Sequence, residues 1–149
     1  MSYQEKSVVA SLVSALIVFA FYALYVFGIH QEGRLVGPDA SSLVGKSSFV
    51  LMVATIAVTV VVQVALSVIH TAVTKESETI LTDEREQLIA LKSMQVSSTT
   101  FSLGFLASMG ILAFEVWAPY AVFLLIITSM FVGMIAGYIA KLILYRRGY

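Results

Sequence analysis

The sequence predicts an all-α integral membrane protein: a four-transmembrane-helix bundle with the third helix extended into the cytoplasm. Three observations predict it. Hydrophobic residues make up 59% of the chain and charged residues only 12%, where soluble domains carry about 25% charged residues. Four apolar runs each approach the roughly 20 helical residues needed to cross the hydrocarbon core. A charged stretch, TDEREQLIALKS at positions 82–93, separates them two and two.

The same composition excludes several classes. Nine basic residues balance nine acidic ones, and no basic cluster exists outside the C-terminal end, so no nucleic-acid partner is expected. Cysteine is absent, which removes disulfides, thiolate metal sites and cysteine nucleophiles. The longest polar stretch, of roughly thirty residues, is too short to bury a core of its own. The chain therefore reads as a single transmembrane domain over 1–149.

The first span is expected over 8–29. It exceeds the roughly 7–15-residue core of a signal peptide and lacks a cleavage site, so it reads as retained. The segment 30–48 follows as a loop, where Gly33, Gly37, Pro38 and Gly45 argue against one continuous helix and Asp39 could cap a short turn. The second span, 49–69, is rich in β-branched residues, a strand signal in water. In lipid an isolated strand leaves its backbone unpaired, so helix is expected instead.

The charged block begins a third helix. Asp83 suits an N-cap and Glu86, three residues on, completes a capping box. No glycine or proline follows until Gly104, so one helix from 83 to 118 is expected, roughly 54 Å long. Its membrane part is 99–118, and 70–98 forms a cytoplasmic segment. On a helical wheel Leu88, Ile89 and Val96 share one side with Arg85 and Lys92, whereas Ser93 points elsewhere. The fourth span is expected over 120–144, joined to the third through WAPY at 117–120, where Pro119 breaks the helix and Trp117 and Tyr120 suit the interface. Seven Lys and Arg residues fall on the side of both termini, against Arg34 and Lys46 on the other. Both termini are therefore expected in the cytoplasm, with the protein in the cell (inner) membrane.

Few residues could carry chemistry. Ser129, Gly133 and Gly137 recur every fourth residue, a small-residue stripe that lets helices approach closely. It serves either packing within the chain or a homo-oligomer seam. Ser7, Ser11 and Ala15 form a similar stripe. Gln63, deep in the second span, and Glu115, near the outer end of the third, are the polar residues open to a transport role. Structural hydrogen bonding is the plainer reading of both. His30 and His70 end up on opposite sides of the membrane, so no metal site and no cofactor are expected. Glu76, Glu78, Asp83, Glu84 and Glu86 are acidic without calcium-loop spacing. Lys141, Arg146 and Arg147 suit anchoring at anionic headgroups.

Asp83, Glu84, Arg85, Ile89 and Lys92 spell DER-x-x-x-I-x-x-K. With two spans before the block and two after, the chain resembles a family of small four-helix bacterial and archaeal integral membrane proteins of unknown function. The resemblance implies the architecture and no activity.

The expected function is that of a non-enzymatic scaffold or regulatory partner acting through 75–98, with Asp83, Glu84, Arg85, Leu88, Ile89 and Lys92 as the binding residues. A small oligomeric transporter or channel, assembled through Gly133 and Gly137, is the alternative, and a membrane enzyme the third. The expected partners are the lipid bilayer and either a second copy or another membrane or cytoplasmic protein.

Overall fold

The computed structural model describes residues 3–74 and 84–147, which form four helices: α1 (Tyr3–Gln31), α2 (Ala40–Thr74), α3 (Glu84–Ala113) and α4 (Pro119–Arg146). All four are long and apolar enough to cross a membrane, which supports a multi-pass membrane protein. The side chains agree with that environment. Phe21, Leu24, Phe49, Val61 and Leu106 stand largely exposed, and contiguous apolar surface on this scale is foreign to a water-facing monomer. Inside the helices, hydroxyls bond their own backbone: Thr55 to Leu51, Thr59 to Thr55, Thr128 to Leu124. Each donates to a carbonyl one turn back, so none requires a partner in lipid.

The helix boundaries correct the sequence reading in two places. α2 starts at Ala40, well before Phe49, and runs through Gly45. The connection from α1 shrinks to 32–39. Its turns use Gly33 and Gly37 at φ 70° and 108°, and the Asp39 carbonyl accepts the Leu43 N–H at 3.0 Å. One glycine inside a long helix costs only about 1 kcal/mol, too little to break α2 at Gly45. Secondly, α3 ends at Ala113 rather than 118. It is one unbroken helix of 30 residues, roughly 45 Å long. The expected N-cap, Asp83, lies outside the described residues, as do Glu76 and Glu78.

Pro119 does not end α3; it opens α4. Its fixed φ suits the first helical position, where no N–H is needed. It also holds Ala118 extended, at φ −60° and ψ 146°, as a residue before proline prefers. A connector between the helices is then required, and α3 must stop short to supply it.

The packing centres on α4, which contacts all three other helices; α1 and α2 also contact each other, whereas α3 contacts α4 alone among the described residues. The register of each pair is legible from its contacts. Tyr22 meets Ser48 and Ser7 meets Gln63 across antiparallel α1 and α2. Phe19 stacks on Phe131 between α1 and α4, with ring centroids 4.9 Å apart. Gly104 lies against Ser129, and Gly137 against Ser93 and Ser97, between α3 and α4. These registers bring the starts of α1 and α3 level with the end of α4. α3 therefore lies along α4 and does not stand clear of it. It is α2, at 35 residues, that runs about two turns further.

Two apolar clusters fill the interior. Tyr22, Leu51, Ile127 and the fully buried Phe131 join α1, α2 and α4. Ile29, Leu35 and Val44 close the end nearest the α1–α2 loop, with Tyr120 packed against them.

Candidate functional site

The residues expected to bind a partner fall on the first three turns of α3, and α4 divides them. Ile89 is 1% exposed. It points toward α4 together with the buried Ser93. Leu88 points away and is 52% exposed, as do Leu91 at 60% and Met94 at 69%. Glu84 and Arg85 are exposed, and Glu86 and Lys92 half-buried. The expectation that Leu88 and Ile89 act on one face, with Ser93 elsewhere, is thus corrected. Their 100° separation on the helix straddles the line of contact with α4.

The first turn of α3 is not isolated. The charges of Glu86, Arg85 and Glu5 all reach the Tyr145 hydroxyl, so the starts of α1 and α3 and the end of α4 gather at one end of the molecule. Beside them Lys92, Gln95, Thr99 and Thr100 of α3 line an open groove of about 640 Å³ with Ala140, Ile143 and Leu144 of α4.

The small-residue stripe of α4 has its partner within the chain. Ser129, Gly133 and Gly137 are buried. A methyl group on Gly133 would sit 2.8 Å from the Ser97 carbonyl oxygen, and one on Gly137 would sit 2.9 Å from the Ser97 Cβ. A methyl on Gly104 of α3 would run into the Ser129 side chain. Two stripes therefore interlock, Ser93, Ser97, Gly104 and Ser108 on α3 against Ser129, Gly133 and Gly137 on α4. Of the two readings of the α4 stripe, packing within the chain is the contact this structure shows: α3 covers Gly133 and Gly137. The α3 stripe escaped the sequence reading although Ser93–Ser97 and Gly104–Ser108 both have the four-residue spacing.

The two candidate transport residues are separated. Gln63 donates to Ser11 Oγ at 2.9 Å and accepts from Ser7 Oγ at 3.1 Å. Tyr138 of α4 lies beside Ser11, so these polar groups of α1, α2 and α4 gather near the chain termini. Glu115 lies at the other end, beyond the last turn of α3, exposed and at φ 53°. It is not inside a membrane helix, which corrects the expectation for the third span. It closes α3 instead: its N–H donates to the Leu112 carbonyl and the Val116 N–H to Ile111, both at 3.1 Å. That is a Schellman cap with glutamate in the left-handed position. α1 ends the same way with Gly33 there, Gly33 bonding His30 and Arg34 bonding Ile29.

His30 lines a recess between α1 and α4 with Tyr120 and Leu124. No group of three or more metal-ligating side chains occurs among the described residues.

No protein-family model matches this sequence, and no curated protein and no solved structure matches it either.

Proposed function

We propose that this is a non-enzymatic multi-pass membrane protein that binds a partner protein on the uncovered face of α3 between Glu84 and Gln95. The observation that carries this reading is the composition of that face. Leu88, Leu91 and Met94 project from it, interleaved with exposed Glu84, Arg85, Gln87 and Gln95. Three large apolar side chains in succession are poorly served by water. A carboxylate and a guanidinium are poorly served by hydrocarbon. At the headgroup level a protein helix that offers both apolar contact and polar partners complements the whole of this mixed face.

In this proposal both termini lie on the cytoplasmic side of the cell (inner) membrane, following the seven-to-two distribution of Lys and Arg. The first turns of α3 then meet the cytoplasmic headgroups. The resemblance to the four-helix family is part of the same proposal, because its motif residues Glu84 and Arg85 lie on this face. The binding set becomes Glu84, Arg85, Leu88, Leu91, Met94 and Lys92, with Ile89 assigned to packing against α4.

The test is site-specific photo-crosslinking in native membranes, followed by recovery in mild detergent. A photoreactive residue at Leu91 is expected to capture one protein in stoichiometric yield, and one at Ile89 is not. Arg85→Glu is expected to abolish that capture. Undiminished capture with Arg85→Glu, or crosslinks from Leu91 to lipid alone, would overturn the reading.

A further inference from the structure

A second surface, between α1 and α2, combines apolar length with hydrogen-bond donors that have no partner among the described residues. Between α1 and α2, on the side open to the surroundings, runs a groove of about 600 Å³ lined by Val18, Phe21, Tyr25, Lys46, Val50 and Ala54, among others. Its polar atoms are concentrated at one level. The Tyr22–Ser48 hydrogen bond fixes the register of the two helices, and that register sets Tyr25 nearly opposite Lys46. Each lies six residues from its helix end, Gln31 for Tyr25 and Ala40 for Lys46, so both sit roughly 9 Å below the α1–α2 loop. From that level the groove continues to Val18 and Ala54, roughly 12 Å deeper along α2.

Lys46 is a cation within an apolar helix, and among the described residues no carboxylate lies within ion-pair distance of it. Arg34, by contrast, pairs with Glu32 at 3.6 Å. The Tyr25 hydroxyl likewise has no hydrogen-bond partner among the described residues. Two donors, one of them cationic, thus stand at the shallow end of an apolar groove that no acidic side chain lines. Phosphate oxygens accept from both lysine and tyrosine. The missing carboxylate also matters, since a headgroup amine would find no counter-charge.

We propose that this groove is a binding site for one anionic glycerophospholipid, held with its phosphate on Lys46 and Tyr25 and one acyl chain laid along Phe21, Val50, Val18 and Ala54. Free phosphate does not fit, because it would leave the apolar length uncovered. The site faces the leaflet that adjoins the α1–α2 loop and is independent of the partner face on α3.

Native mass spectrometry of the full chain in mild detergent tests this, with phosphatidylglycerol and phosphatidylethanolamine supplied in equal amounts. The unmutated protein is expected to keep one phosphatidylglycerol about five-fold more often than phosphatidylethanolamine, the preference that one lysine near the membrane surface confers. Lys46→Gln is expected to remove that preference, and Tyr25→Phe to lower the retention of both lipids while leaving the preference in place, since both carry the phosphate that Tyr25 meets. Lys46→Arg and the distant Lys141→Gln are expected to retain it. Equal retention of the two lipids by the unmutated protein would overturn the proposal without recourse to any variant. So would a preference that survives Lys46→Gln, one lost equally in Lys141→Gln, or a lipid-free dimer as the species recovered.

Discussion

Glu115 shows what one backbone conformation decides. A left-handed φ costs a residue with a Cβ about 1–2 kcal/mol, and glycine almost nothing. Two Schellman caps occur among the described residues, with glycine in the left-handed position at the end of α1 (Gly33) and glutamate there at the end of α3 (Glu115). Glu115→Gly is therefore expected to raise stability by about 1 kcal/mol, read as an upward shift of the unfolding midpoint in a denaturant titration of the detergent-solubilised protein. A downward shift would mean that the carboxylate makes a stabilising contact of its own. The residue was legible in the sequence as an acid near the end of a span. Its conformation was not, because nothing about glutamate announces a cap that glycine normally supplies. Gln63 is the opposite case. A hydrogen-bonding role was the plainer reading of that residue, and Ser7 and Ser11 supply the partners.

Among the elements, α3 and α4 depend most on close approach. In lipid, apolar burial no longer drives helices together, so the fit of small residues and dispersion contacts must do so. Gly133→Ala would push a methyl into the Ser97 carbonyl, and overpacking of this kind costs about 1–3 kcal/mol. Gly110, on α3, has nothing within 4 Å of the position a methyl would take. Gly110→Ala is expected to be neutral or to stabilise by up to about 1 kcal/mol through helix propensity. The same titration, run on both variants, checks the contrast. Equal losses would show that contact with Ser97 is not what sets Gly133 apart from Gly110. The stripe on α4 was visible as a pattern, but a pattern of small residues does not name its partner, and here the partner is α3 of the same chain.

At the scale of the whole molecule, the absence of cysteine makes orientation directly measurable, since any introduced thiol is the only one. Glu32→Cys, in the α1–α2 loop, is expected to react with a membrane-impermeant maleimide on intact cells. Arg147→Cys, beyond α4, is expected to react only after permeabilisation. The reverse pattern would place both termini outside and remove the cytoplasmic setting of the α3 face. The arrangement of the helices bears on that face as well. Because α4 occupies the middle and, among the described residues, α3 meets α4 alone, one long side of α3 is left to its surroundings, a consequence that four evenly packed helices would not have.

By itself the sequence determined that the chain is helical, how many apolar helices it has, and that a charged block begins the third. These follow from composition and length, because a backbone in hydrocarbon must bond to itself and a crossing needs a set number of residues. It did not determine which faces meet. In water a helix marks its buried side with apolar residues. In lipid both the buried and the exposed sides are apolar, so that mark is erased. Only the tertiary structure could turn Ile89 inward and Leu88 outward, set Ser97 against Gly133, and place α4 at the centre.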